Sequence, residues 1–214
     1  MTKSKIQKIF EILEKNIESL KTELEYINEF TFCVAVILSA QSTDKSVNKA
    51  TNDLFKIVTT PEEMRKLEED ELKQFIKSIG LYNNKAKNIM KFSEVLIEKF
   101  HSTIPKDRDV LEKLPGIGKK SANVIANNLF DMPYIAVDTH VLRVSKRLRL
   151  SKSETPLQVE RDLLNVIPKR FHKHASNLLV LHGRYTCTAK FPKCSTCCIK
   201  NLCPYFFSNN MIKS

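Results

Sequence analysis

Along the long segments of this chain apolar residues recur at every third or fourth position rather than in alternation, a spacing that commits the backbone to helices. Only four glycines interrupt the pattern. Ile6, Ile9, Phe10, Leu13, Ile17 and Leu20 make one face of a first helix. Phe30 to Ala40 is apolar on every side, which predicts a helix at the centre of a domain. Its 11 residues fall short of the roughly 20 that a bilayer core requires, so no membrane partner is expected. Val47, Ala50, Leu54 and Val58 mark a third helix. Thr60-Pro-Glu-Glu63 combines an N-cap hydroxyl, a first-turn proline and a glutamate at the third position, the pattern of a capping box, and Thr155-Pro-Leu-Gln158 repeats the signal. Further helices are predicted from about Asp70 to Ile79, Asn84 to Phe100, Lys119 to Phe130, Asp138 to Leu148, Pro156 to Ile167 and Arg170 to His182. Gly80, Pro105, Pro133, Pro168 and Gly183 are the expected breaks. The fold class is therefore all-α.

A chain of 214 residues can bury one large core or two small ones, and no repeat, low-complexity run or Gly/Ser linker marks a border. Lys and Arg outnumber Asp and Glu by 35 to 24, a net charge of +11 that calls for a polyanionic partner, nucleic acid first. The N-terminus runs directly into an amphipathic helix pattern without a signal-like apolar core, so a cytoplasmic location is expected. Thiols stay reduced there, and clustered cysteines read as a metal site before they read as disulfides.

Three constellations can carry chemistry. In Leu114-Pro-Gly-Ile-Gly-Lys-Lys-Ser-Ala122, Gly116 and Gly118 flank Ile117 between two helical segments. Glycine at both sites permits positive φ and a close approach to another molecule. The positive end of the helix that follows makes an anion site, with backbone phosphate the natural occupant. A tight turn with Ile117 anchored in the core is the plainer alternative. The spacing of these glycines is not that of a Walker loop.

The second constellation pairs Lys120 with Asp138. With a pKa near 10.4, an ordinary lysine is unprotonated in only about one molecule in 2,500 at neutral pH, so a nucleophilic lysine needs shielding, nearby cations or a carboxylate to take its proton. Asp138, in Ala136-Val-Asp-Thr-His140, also stands where a helix N-cap belongs, and Asp is favoured there for local reasons alone. The third constellation is Cys187, Cys194, Cys197 and Cys203, four soft ligands in a loop punctuated by Pro192 and Pro204. They can wrap one thiolate-bound centre. Spacing alone leaves zinc and iron–sulfur both open, and Cys198 offers a rival ligand assignment. Cys33, inside the apolar helix, reads as an inert core residue.

Together these features resemble the helix-hairpin-helix DNA glycosylases that carry an iron–sulfur cluster. The matching segments are Leu38-Ser-Ala-Gln-Ser-Thr-Asp44, Gly80-Leu-Tyr-Asn-Asn-Lys-Ala-Lys87, Leu114 to Ala122, Ile135-Ala-Val-Asp-Thr-His-Val141, His182-Gly-Arg184 and the cysteine loop, in order over nearly the whole chain. The resemblance implies a 4Fe-4S cluster held by Cys187, Cys194, Cys197 and Cys203. It makes Lys120 the nucleophile and Asp138 its acidic partner, with Gly116, Ile117, Gly118 and Lys119 on the DNA backbone. Gln41 and Leu81 match residues that fill the gap left when a nucleotide swings out of the duplex. For both, an ordinary packing or capping role is the alternative.

The implied layout is two-lobed: a central six-helix domain over about 21–132, carrying the hairpin near 107–130, and a second domain from 1–20 with 133–214. The implied activity is that of a DNA glycosylase and AP lyase acting on oxidised pyrimidines and abasic sites in double-stranded DNA. It would be a monomer associated with the nucleoid. The hairpin lysine speaks against the adenine-removing branch, whose usual pattern lacks it. A noncatalytic DNA-binding module built on the same hairpin is the rival, and it has no use for an amine paired with an acid.

Overall fold

Thr2 opens the first helix by accepting from the Lys5 N–H, and α1 (Lys3–Asn16) then buries Ile6, Ile9, Phe10 and Leu13 on one face. Ile17 is half-buried at its end, and Leu20 lies outside the described residues. The computed structural model describes residues 1–17 and 22–210, the side chains of 209 and 210 apart, and among these every regular element is helical. No helix among them is long and apolar enough to cross a membrane. The chain divides into two compact units, Thr22–Phe130 and Met1–Lys21 with Asp131–Ser214.

The first unit is organised around α2 (Glu29–Ser39), in which the nine residues from Phe30 to Leu38 are all buried. Asn28 and Thr31 cap it reciprocally. Around it lie α3 (Asp44–Ile57), α6 (Tyr82–Phe100) and α8 (Lys119–Phe130), and these three helices each pack directly on α2. The short α4 (Pro61–Lys66) and α5 (Glu69–Ile76) pack on α6, and the single turn α7 (Arg108–Leu111) leads into the hairpin before α8. The capping box at Thr60 is complete: Thr60 Oγ1 accepts from the Glu63 N–H, and the Glu63 carboxylate accepts from the Thr60 N–H. Hydrogen bonds from the Thr59 N–H and hydroxyl, and less from the Thr60 N–H, hold the Glu63 carboxyl below its usual pKa.

The other unit stacks α1 and α9 (Thr139–Arg147) on α11 (His172–Tyr185), with α10 (Pro156–Val166) against α9. The rings of Phe10 and Phe171 meet 5.5 Å apart in its core. A 3-10 turn, Lys169–Phe171, precedes α11; another, Lys200–Leu202, leads to α12 (Pro204–Asn210). Thr155 caps α10 by accepting from the Gln158 N–H, but this cap is only the first half of a capping box.

The break expected at Gly183 does not occur. The glycine lies inside α11 because an added Cβ would meet the Cβ of His140 at 3.0 Å and Cγ2 of Val144 at 3.1 Å. It is there for close helix packing, not for termination.

Candidate active site

Gly116 has φ +77°, a left-handed conformation natural only to glycine, and a Cβ there would meet Asn88 at 3.0 Å and Ile37 at 3.1 Å. Gly118 differs from expectation. Its φ is not positive, and a Cβ on it would point into open space. One glycine thus shapes the turn, and the other leaves a bare exposed backbone. Ile117 is buried, so its side chain anchors the hairpin in the core and only its backbone faces outward contacts. The Ile117 N–H donates to the Leu114 carbonyl at 3.1 Å, and the Ala122 N–H returns to the Gly118 carbonyl at 2.9 Å as α8 begins.

Lys119 is half-buried and Lys120 exposed in the first turn of α8. The shielding expected for Lys120 is therefore not supplied by the packing of the chain. Asp138 reaches its place through the buried run Ile135-Ala136-Val137, which is tied down by the Ala136 N–H donating to Ser176 Oγ at 2.7 Å. Asp138 caps α9, its Oδ1 accepting from the Val141 N–H at 2.8 Å. The carboxylate is half-buried, so capping leaves part of it in contact with solvent.

Gln41 and Leu81 share an unexpected backbone feature. Both are exposed and both lie in the left-handed region, at φ 56° and φ 60°. For a leucine that conformation is a true outlier, costing about 1–2 kcal/mol. Leu81 is the residue before α6, makes no side-chain capping bond and is 58% exposed.

Cys187, Cys194, Cys197 and Cys203 line one pocket, which is in part open to solvent. Buried His182 forms part of its wall, with Nε2 3.9 Å from Cys197 Sγ, and burial pulls the His182 pKa down to about 4. Burial pushes Cys197 up to about 11 and Cys194 upward as well. Cys203 belongs to the hydrophobic core beneath. Cys198 is exposed and does not line the pocket. Cys33 is wholly buried in α2, and desolvation raises its pKa strongly.

Two residues missed by sequence reasoning hold this loop. Arg143 Nε donates to the Cys187 carbonyl at 3.1 Å, and its Nη2 to the Gly183 carbonyl at 2.8 Å. Arg147 donates to the Cys187 Sγ at 3.2 Å, the Thr188 carbonyl at 2.7 Å and the Ala189 carbonyl at 2.9 Å. Its guanidinium also lies over the Tyr205 ring, 4.5 Å from the centroid. Their i, i+4 spacing on α9 is the signal that sequence offers, but it does not say which carbonyls they meet.

Residues 34–169 match the family described as HhH-GPD superfamily base excision DNA repair protein. The chain is 52% identical to endonuclease III of Rickettsia conorii over 203 residues, 95% of this chain and 97% of that one. It is 45% identical to endonuclease III of Escherichia coli strain K12 over 205 residues, 96% and 97% of the two chains. Its backbone is similar to that in a structure of a trapped endonuclease III–DNA covalent intermediate, an estranged-adenine complex, with TM-score 0.91 and 42% identity over 98% of this chain and 99% of the other.

Proposed function

The chain belongs to the HhH-GPD superfamily of base excision DNA repair proteins and within it to the endonuclease III family, and on that premise we propose that Lys120 is its nucleophile and Asp138 the acidic partner. It is a bifunctional DNA glycosylase and AP lyase. Its substrates in this reading are oxidised pyrimidines and abasic sites in duplex DNA. The single observation that carries the assignment of a covalent mechanism is the trapped DNA intermediate formed by a relative 42% identical over nearly the whole chain. Lys120 supports it as an exposed primary amine at the first turn of the hairpin helix.

In the first step the neutral Lys120 amine attacks C1′ and the bond from C1′ to the damaged base breaks, the base leaving with the bonding pair and a proton. The sugar ring opens, giving an imine between Nζ and C1′. That electron sink acidifies C2′. Loss of its proton and departure of the 3′ phosphate nick the strand. Asp138 steers these protons and offsets the positive charge on the sugar. Contact with the bound nucleotide supplies the shielding that an exposed Lys120 lacks.

The backbone from Gly116 to Gly118 and the Lys119 side chain hold phosphate. Gln41 and Leu81 enter the duplex once a nucleotide is extruded, recovering part of the few kcal/mol lost with stacking. Cys187, Cys194, Cys197 and Cys203 hold a 4Fe-4S cluster. The fit is one of donor chemistry: four thiols and no carboxylate line the same pocket. When bound, such a cluster ties the loop together, and exposed Lys190 and Lys193 then carry positive charge to phosphate. The two compact units are read as the two lobes of the family, and the protein works as a monomer at the nucleoid, in the cytoplasm.

Borohydride reduction on duplex DNA with one abasic site tests the nucleophile. The wild-type chain should become covalently trapped, and Lys120→Gln should bind the duplex without being trapped. Trapping of Lys120→Gln would overturn the assignment.

A further inference from the structure

Lys85 is a buried cation that the chemistry above does not use. The residue is about 5% exposed, yet all three acceptors around its ammonium are uncharged: the Leu38 carbonyl at 2.8 Å, the Ala40 carbonyl at 2.6 Å and Ser42 Oγ at 3.0 Å. Burial lowers its pKa. A buried ammonium is retained only where its bonds matter, because desolvating it is costly.

The acceptors explain what it does locally. Helix α2 ends at Ser39 with no basic residue in its own last turn, and its final carbonyls need partners. Ser39 Oγ takes the Val36 carbonyl and the Ser42 N–H takes that of Ser39, while Lys85 supplies a hydrogen bond to Leu38 and a positive charge at the negative end of the helix. The remaining two bonds fall on Ala40 and Ser42, the residues on either side of Gln41. Lys85 thereby brackets the one left-handed residue in that loop.

Lys85 meets Leu81 through its main chain only. Its backbone N–H donates to the Leu81 carbonyl at 3.1 Å, the first turn of α6. That is the i→i−4 bond any residue makes at this place in a helix, so the side chain of Lys85 acts on the loop around Gln41. Strained backbone of this kind persists only where surrounding bonds hold it, and it gathers at functional sites. We propose that Lys85 is a positioning residue that keeps Gln41 in the left-handed conformation from which its side chain enters an opened DNA duplex. The proposal rests on the gap-filling reading of Gln41 given above.

The test uses the full-length, cluster-loaded protein and a duplex with one oxidised pyrimidine beside 2-aminopurine, whose fluorescence rises on unstacking. Lys85→Met should lower excision from the duplex on the order of 10- to 100-fold, the loss that follows a small misplacement of positioning groups. It should blunt the fluorescence rise and leave borohydride trapping on a single-stranded abasic oligonucleotide unchanged. Because Lys85 acts through Gln41, the double variant Lys85→Met/Gln41→Ala should be no worse than the weaker of its parents. Full excision by folded Lys85→Met, an additive double variant, or an equal loss of single-strand trapping overturns the proposal.

If Gln41→Ala leaves excision and fluorescence intact, the gap-filling reading of Gln41 itself has failed. Should Lys85→Met not fold, Ser42→Ala decides, since it removes one of the three bonds and little else. A smaller drop in duplex excision at unchanged melting temperature supports the positioning role, and no drop refutes it.

Discussion

A Cβ placed on Gly183 would come within 3.0 Å of the Cβ of His140, so α11 and α9 meet there with no room for a side chain. Gly183→Ala should therefore push the helices apart and cost about 1–3 kcal/mol by overpacking. In a chain of this size that lowers the melting temperature by about 2–12 °C. A thermal scan superimposable on the wild type would show that the contact relaxes freely.

Asp138 has two functions in this account, and substitution separates them. Asn also caps helices well, so Asp138→Asn should keep the bond to the Val141 N–H and melt like the wild type. Its excision rate should fall by about 10²-fold or more through loss of the carboxylate. Asp138→Ala should lose about 1 kcal/mol of stability in addition. If Asp138→Asn excises damaged bases at the normal rate, Asp138 is only a cap.

The hairpin glycines should respond oppositely. Gly116→Ala places a side chain at φ +77° against Asn88 and Ile37, so the protein should be destabilised by about 1 kcal/mol or more. Gly118→Ala has open space, so stability should hold while affinity for duplex DNA falls. Melting curves and DNA titrations at two salt concentrations distinguish the effects. A Gly118→Ala variant with wild-type affinity would remove the close backbone approach from the proposal.

Cluster retention tests the loop. Cys198→Ser should purify as brown as the wild type, since Cys198 lies outside the pocket. Cys197→Ser should be pale. Arg147→Met removes the bonds to Cys187 Sγ and to the Thr188 and Ala189 carbonyls, and its visible absorbance should decay faster in air. Equal decay of Arg147→Met and wild type would reduce the arginine to a surface contact.

What the residues disclosed and what they withheld follow from the range of the interactions. The bounds of α8, the capping bonds of Thr60 and the buried run of α2 depend on neighbours a few positions away, and all were legible from spacing. Gly183 misled because a glycine that ends a helix and one that admits a second helix look alike until His140 is opposite it. The arginines on α9 were invisible for a similar reason: their acceptors lie some 40 residues on. Lys120, Asp138 and the cysteines could be nominated from residue type and order. The exposure of Lys120 and the left-handed backbone at Gln41 and Leu81 could not, since both are properties of assembled structure.

The two compact units also differ in how their sequence is arranged, one drawn from an unbroken run and the other from both termini. Domains generally fold as units while synthesis proceeds from the N-terminus. The unbroken unit is complete as soon as Phe130 has left the ribosome, but α1, translated before it, must wait for α11 before Ile6, Ile9, Phe10 and Leu13 find their cover. A helix made early is thus among the last to dock, and in the interval its apolar stripe is left without cover.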